Sequence, residues 1–349
     1  MMGRLCLFLL VSIIISCFYF SFGFTFLPEG INTKAILAVV GVPLMAYHAI
    51  QNRLIKVDRA LLGAIGFAVV FSLICFISID YNHTDDFSYA TYIVSFSIWL
   101  LAAYTVCTVM RSVHGRVDIQ LLTSYLAAIS AAQCIIALVI DANLTVQFFI
   151  NRYIEQGQEF LTEVDRLYGI GASLDNAGVR FSIVLILIAT SLSKSLRMEN
   201  NNTFTVLFLL TAFLFVTVIG SMISRTTLIG AAMGLIYMIL NSGVFRLIIS
   251  KRVIGFYGIL AFMLFIAYMV TAYLYQHNPI FHDQIRFAFE GFFNWIEEGE
   301  WRTDSTDKLN RTMWVWPTDT KTWLIGSGLF EDWVFGTDIA YCRFILYSG

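Results

Sequence analysis

The sequence predicts an all-α polytopic membrane protein with about ten visible transmembrane helices, the last incomplete, and two long outer loops that contain helices. Three observations predict this class. First, 58% of the 349 residues are apolar and only 13% are charged, against roughly 25% charged in soluble proteins. Second, the apolar residues form long blocks instead of an amphipathic pattern. Third, Lys and Arg are concentrated in alternate connections between the blocks.

The apolar blocks define the predicted spans, since a hydrocarbon core requires roughly 20 apolar residues. Gly178–Ser193 and Thr226–Leu240 are short by this measure. The first block follows Arg4 but has no small-residue cleavage site, so it is predicted to be a retained span and not a signal peptide. A tenth block opens at Ile339 and stops at Gly349. The nine complete blocks are Leu5–Phe26, Ala35–Ile50, Leu61–Ile79, Tyr89–Met110, Leu121–Ile140, Gly178–Ser193, Thr203–Met222, Thr226–Leu240 and Val253–Tyr275.

The charges of the connections predict a cytoplasmic N-terminus, because basic residues accumulate on the inner side. With this orientation, the short outer connections contain only Lys34 and Arg225 as basic residues. All but three of the 24 acidic residues, Asp58, Asp118 and Glu199, lie outside or at the outer boundary. The basic residues of the inner side are Arg4, Arg53, Lys56, Arg59, Arg111, Arg116, Lys194, Arg197, Arg246, Lys251 and Arg252.

Several function classes are disfavoured by composition. A net charge of −2 predicts no nucleic-acid partner. The six cysteines all lie in apolar blocks without metal-ligand spacing, so they are predicted to be packing residues and no metal or cofactor is expected. The predicted spans are almost free of charge and contain one proline, Pro43, which argues against ion-coupled transport. Functional residues are therefore expected at the outer membrane boundary.

Residues 1–349 are predicted to form one integral membrane domain with long outer (periplasmic) loops at 141–177 and 276–338. In the second loop, an apolar stripe predicts a helix that lies flat on the membrane or covers a cavity. A second helix is predicted over Ser305–Trp316, ended by Pro317, with Lys308 and Arg311 on its polar side. Alternatively, both loops only cap the bundle. The stripe is Phe281, Ile285, Phe289, Phe292 and Ile296, and the first loop has a similar pattern at Phe148, Phe149, Tyr153, Ile154, Phe160, Val164 and Leu167.

Four arginines, Arg166, Arg180, Arg225 and Arg311, lie at predicted outer ends of spans or in outer loops. A guanidinium forms paired hydrogen bonds with phosphate oxygens and stays charged when partly desolvated. Four such groups at one depth would suit a lipid-linked diphosphate. Alternatively, each arginine is an interface anchor that reaches lipid head groups.

Several of these segments resemble the O-antigen ligase and polymerase superfamily. They are Arg311-Thr-Met-Trp314, Trp323-Leu-Ile-Gly-Ser-Gly328, Thr337–Ile345, Ser224-Arg-Thr226 and Leu174–Arg180. The resemblance covers residues 165 to 349 in sequence and the whole chain in topology. Ligases of the superfamily have a histidine before the span that follows the large loop, where this chain reads Gly336-Thr-Asp338. Since His277 and His282 lie at the start of the loop, the resemblance favours a polymerase of the Wzy type.

The resemblance implies glycosyl transfer between polyprenyl-diphosphate-linked oligosaccharides at the bacterial inner membrane, with membrane lipids and a chain-length regulator as further partners. Arg180, Arg225 and Arg311, with Arg166, would bind the diphosphate without a metal. Asp338 would take the proton from the acceptor hydroxyl, with Glu331 and Asp332 behind it. Alternatively, Asp338 only caps the helix of the tenth span. Members of the superfamily continue with further spans, so the expectation is either a truncated gene or a chain that is part of a longer protein.

Three rival functions stay open. The first is a ligase that transfers the glycan to lipid A-core or another acceptor. The second is a transporter or flippase for lipid-linked sugars. The third is a structural membrane protein, because Gly230 and Gly234 form a stripe of small residues that permits close helix packing. The stripe is predicted to pack within the chain in preference to forming a dimer.

Overall fold

The computed structural model describes residues 2–28, 30–53, 57–156, 166–197, 203–242, 251–330 and 334–349. These residues form fifteen helices and one two-stranded antiparallel ladder, in which β1 (Gly23–Phe24) pairs with β2 (Ile154–Glu155). The helices are α1 Met2–Tyr19, α2 Thr33–Asn52, α3 Arg59–Asn82, α4 Tyr92–His114, α5 Ile119–Ala142, α6 Leu144–Tyr153, α7 Leu174–Arg197, α8 Thr203–Ile223, α9 Thr226–Asn241, α10 Lys251–His277, α11 Pro279–Ala288, α12 Glu290–Glu298, α13 Asp304–Thr312, α14 Thr320–Leu324 and α15 Ala340–Ser348.

Seven of the described helices, α2, α3, α4, α5, α7, α8 and α10, are long and apolar enough to cross a membrane. The chain therefore has the fold of a polytopic helical membrane protein, as the composition predicts. Helices α1 and α9 are apolar but shorter, so their spans stay predictions, as does the tenth. The block predicted at Gly178–Ser193 proves to be part of a longer helix, α7, which begins at Leu174.

The chain divides into two compact units. The first comprises Met1–Ile36 and Val106–Phe289, and the second comprises Leu37–Thr105 and Glu290–Gly349. The one-domain prediction does not anticipate this division.

The core of the first unit is built on α5, α7 and α8, where more than half of the apolar window of each helix is buried. Phe181 of α7 and Phe213 of α8 are fully enclosed. Helix α9 packs against α7 through Gly230, where a Cβ would lie 2.2 Å from Ser182 Cα. A Cβ on Gly234 would meet α7 and α8 at 3.1 Å or more. The small-residue stripe therefore packs within the chain, as predicted.

In the second unit, the Ile325-Gly326-Ser327-Gly328 turn is held against α15. Ser327 and Gly328 donate backbone hydrogen bonds to the carbonyls of Leu346 and Tyr347, at 2.8 and 3.0 Å. Gly326 and Gly328 have φ of +79° and +66°, a region that disfavours residues with a Cβ. The turn is therefore a specific structural joint.

The end of α3 holds the other side of this turn. Asn82 donates from Nδ2 to the carbonyl of Gly326 at 3.1 Å, and the Thr84 hydroxyl donates to that of Gly328 at 2.9 Å. The Ser78 hydroxyl donates to the carbonyl of Tyr347 at 2.6 Å. Side chains at the end of α3 and just after it thus satisfy carbonyls of the turn and of α15, as buried carbonyls require.

The loop helices differ from their predicted bounds. The apolar stripe does not form one helix, because the chain leaves helical geometry at Phe289 (φ −112°, ψ 23°) between α11 and α12. The helix predicted over Ser305–Trp316 is α13, which ends at Thr312. Beyond it, the carbonyl of Met313, the C-cap residue, accepts from the hydroxyl of Thr337. In the first loop, α6 and β2 form, while Phe160 and Val164 lie outside the described residues.

Candidate functional site

The hairpin between α8 and α9 is the best-defined candidate site in the first unit. Only Ser224 and Arg225 separate the two helices. Ser224 is buried, and a Cβ on Gly178 of α7 would lie 2.3 Å from its Oγ. The Ser182 hydroxyl donates to the carbonyl of Thr226 at 2.7 Å. The early turns of α7 therefore fix the hairpin backbone and the position of Arg225.

Two guanidinium groups converge on the ring of Phe287 in α11. The Arg225 guanidinium carbon lies 4.0 Å from the ring centroid and that of Arg166 lies 4.4 Å from it. Nε of Arg225 also donates to the carbonyl of Phe287 at 2.8 Å. Cation–π contacts at this distance are favourable and strengthen with desolvation, and both arginines are half-buried. One aromatic residue thus holds two cations together.

Arg180 lies in the second turn of α7 and contacts a different part of the first unit. Its Nη1 donates to the carbonyl of Gly171 at 3.2 Å, and its guanidinium carbon is 6.0 Å from the Phe20 ring centroid. Its own carbonyl accepts from the Tyr19 hydroxyl at 2.8 Å. Lys34 is near enough to Arg180 for their charges to repel. Arg180 therefore adds positive charge here and also secures the glycine turn.

The glycine turn that follows Arg166 is itself anchored. Gln133, buried in α5, accepts from the backbone N–H of Ile170 at 2.9 Å. Gly171 has φ of +67°, and a Cβ there would lie 2.4 Å from the carbonyl oxygen of Phe20. These contacts fix the backbone four and five residues after Arg166 and so help to position this arginine.

Two residues at this site were not predicted from the sequence. Phe287 falls outside the apolar stripe used to predict α11, so no local pattern identifies it. Asp175, exposed in the first turn of α7, accepts a hydrogen bond from the Ser224 hydroxyl at 3.2 Å. Its position within the Leu174–Arg180 segment could have indicated it. The hairpin thus has a carboxylate as well as guanidinium groups.

Two predicted site residues, Arg311 and Asp338, belong to the second unit. Arg311 is exposed in the last turn of α13. Asp338 is 60% exposed, and its Oδ1 lies 3.3 Å from Nη2 of Arg343. Ile339, and not Asp338, is the N-cap of α15, with no side-chain cap hydrogen bond. The alternative that Asp338 caps this helix is therefore wrong, whereas its catalytic role stays a prediction. Glu331 and Asp332 lie outside the described residues.

Next to Arg311, three tryptophans stack in sequence. The ring centroids of Trp314 and Trp316 are 5.9 Å apart, as are those of Trp316 and Trp323, with interplanar angles of 24° and 8°. Each side chain is about half exposed. Half-exposed tryptophans are typical of a membrane–water boundary, which agrees with the predicted depth of Arg311.

Within the described part of the chain, no group of three or more His, Cys, Asp or Glu residues could hold a metal ion. Comparisons with known protein families, curated proteins and solved structures found no match. The superfamily resemblance therefore stays a prediction that depends on the quoted residues. Arg166 and Arg225 are the predicted site residues that the structure brings to one ring.

Proposed function

We propose that the chain is a membrane glycosyltransferase that polymerises polyprenyl-diphosphate-linked oligosaccharide repeat units into surface polysaccharide. The reaction would take place on the outer side of the bacterial inner membrane. The observation that carries this proposal is the pair of guanidinium groups, Arg166 and Arg225, on the ring of Phe287.

This pair has the chemistry that a diphosphate leaving group requires. Two like charges at one ring repel each other, and an anion bound to both lowers that energy. A guanidinium remains protonated in a partly desolvated site and offers paired donors to phosphate oxygens. In the reaction, the bond from the anomeric carbon to the diphosphate oxygen breaks and negative charge grows on the diphosphate. Donors placed where charge develops stabilise that transition state.

The acceptor hydroxyl has to lose its proton as the new glycosidic bond forms. Asp338 is the proposed base, as the resemblance implies, because its carboxylate is exposed and a carboxylate can accept the proton. Asp175 is a second choice, because it lies at the hairpin itself and contacts Ser224. The superfamily resemblance also assigns Arg311 and Arg180 to the diphosphate. The ligase and flippase alternatives act on the same kind of lipid-linked sugar, so only an experiment distinguishes them from a polymerase.

The test is complementation of a strain that lacks the gene, with surface polysaccharide separated by length on a gel. Arg225→Lys keeps the charge but loses the guanidinium fork, so we expect long chains to disappear while one-unit chains remain. Arg152→Lys is the matched control, because Arg152 is exposed and also lies over an aromatic ring, that of Tyr153, at 5.7 Å. It should leave chain length unchanged, and both variants should reach the membrane in normal amounts.

Other band patterns would contradict the role of Arg225 or indicate one of the alternative functions. Full chain length in Arg225→Ala would exclude the proposed role of this residue. In the knockout, loss of all capped lipid would identify a ligase. Loss of lipid-linked units from the outer side would identify a flippase.

A further inference from the structure

A cavity of about 320 Å³ lies at the end of the first unit opposite the Arg225 hairpin. It is formed where α5 begins and where α7 and α9 end. Its lining includes Gln120, Ser191, Ser193, Lys194, Tyr237 and Asn241. Small-ligand sites typically have volumes from about 300 Å³ upwards, so the cavity is large enough for a small ligand. The site is independent of the proposed glycosyl transfer.

Ser193 is the most informative residue of this cavity. It is only 5% exposed, and its hydroxyl has no hydrogen-bond partner among the residues that the structure describes. Serine and threonine in helices often donate to a carbonyl of the preceding turn, as Thr190 does to Leu187 at 2.8 Å. Ser193 makes no such bond. A buried hydroxyl without a partner costs stability, and a ligand in the cavity would supply the missing acceptor.

The charges around the cavity indicate the chemical class of its ligand. Lys194 is the one charged residue in the described lining. The nearby carboxylate of Asp118 is already engaged, since Oδ1 accepts from the Leu121 N–H at 2.7 Å and Oδ2 lies 3.1 Å from Nε of Arg116. A cationic donor beside hydroxyl and amide groups fits an anion with several acceptor oxygens.

We propose that this cavity binds a phosphate group, with the Lys194 ammonium and the Ser193 hydroxyl as donors. With the predicted orientation, the cavity opens at the cytoplasmic side, where pockets between helices bind the phosphates of anionic lipids. The same donors would accept a soluble phosphate. The two sources share one chemistry and can be separated by titration.

The experiment uses the full chain purified in a maltoside detergent, which contains no phosphate. The melting temperature is followed while inorganic phosphate or phosphatidylglycerol is added in separate titrations. We expect saturable stabilisation of the wild type by at least one of them. A response to phosphate alone identifies a soluble ligand, and a response only to phosphatidylglycerol identifies a lipid head group.

Variants decide whether the cavity is responsible. Lys194→Gln and Ser193→Ala should each weaken the apparent affinity on the order of tenfold, as loss of a charged or buried hydrogen bond implies. Lys251→Gln is the matched control, because Lys251 is exposed at the start of α10 and lies outside the lining. It should titrate like the wild type.

The melting temperature of the ligand-free protein is a second readout. If Ser193 had only a structural role, Ser193→Ala would lower that temperature. Without ligand, Ser193→Ala should melt at the wild-type temperature or above it, because the variant removes a hydroxyl that has no described partner. Three results would overturn the proposal. They are the absence of saturable stabilisation by either ligand, identical titrations of the wild type and Lys194→Gln, and a lower ligand-free melting temperature in Ser193→Ala.

Discussion

Alanine at Gly326 should destabilise the second unit far more than alanine at another left-handed glycine. A Cβ at Gly326 would lie 2.1 Å from the carbonyl oxygen of Tyr347, which belongs to the backbone of α15. The positive φ alone costs about 1–2 kcal/mol. Moving α15 away would also weaken the two backbone hydrogen bonds that the turn donates to it, each with a net value of about 1 kcal/mol. The expected loss is therefore about 3–4 kcal/mol.

Gly299 provides the matched control, because it has the same φ of +79° with nothing within 4 Å of a Cβ. Gly299→Ala should cost only the conformational term, about 1–2 kcal/mol. Equilibrium unfolding in SDS micelles, followed by tryptophan fluorescence, measures both free energies of unfolding. A difference of about 2 kcal/mol is expected from the two lost hydrogen bonds. Equal losses in the two variants would refute the view that the turn is a close-packed joint.

Phe287→Leu keeps an apolar side chain but removes the ring beneath both guanidinium groups, a loss of roughly 1–2 kcal/mol. Polymer yield should fall about fivefold or more at normal membrane levels, and unchanged banding on a gel would count against the role of the ring. Gly230→Ala places a methyl group 2.2 Å from the backbone of α7, whereas at Gly234 the nearest atom is 3.1 Å away. Size-exclusion chromatography should therefore show loss of monodisperse protein only for the Gly230 variant, and equal yields would contradict this packing. Hydrogen bonds from the Thr322 N–H and hydroxyl lower the pKa of Asp319, the N-cap of α14. Because the folded pKa lies below the unfolded value of about 3.9, its stabilising contribution is present above that value and is lost as pH falls through the folded pKa. Melting temperatures at pH 6 and pH 3 should differ less in Asp319→Asn than in the wild type, and an identical pH dependence would argue against the cap.

The spans could be predicted because burial in lipid requires long apolar blocks, and no tertiary contact is needed to recognise them. The start of α7 shows the limit of this criterion. Asp175 and Asn176 are polar and end the apolar block, yet the helix begins at Leu174. Gly178, which directly follows this extra turn of α7, packs against the hairpin. A hydropathy pattern does not detect such a contact.

The presence of helices in the loops could be predicted, but their first and last residues could not. The residues Phe281 to Ile296 continue a helical period through Phe289, so periodicity cannot show the break there. Helix α13 ends at Thr312, and the carbonyl of its C-cap residue, Met313, accepts from Thr337, a residue 24 positions away. Non-local contacts of this kind leave no trace in a local pattern.

The charged residues of the candidate site could be predicted, but the aromatic residue that they share, Phe287, could not. Arg166 and Arg225 were identified because arginines at span ends are few and because a guanidinium suits a diphosphate. Phe287, which holds both, is one of 31 phenylalanines and has no distinguishing neighbourhood in the sequence. Only the three-dimensional arrangement identifies it.

In the proposed function, guanidinium groups on the Phe287 ring bind the lipid diphosphate of the donor. Its most direct test supplies a polyprenyl-diphosphate-linked repeat unit to membranes that contain the chain and measures both longer lipid-linked chains and released polyprenyl diphosphate. Arg166→Lys and Arg225→Lys should each lower both products about tenfold or more, as expected for loss of a charge-assisted hydrogen bond, while Arg152→Lys should match the wild type. Undiminished formation of both products by Arg225→Ala would contradict the claim.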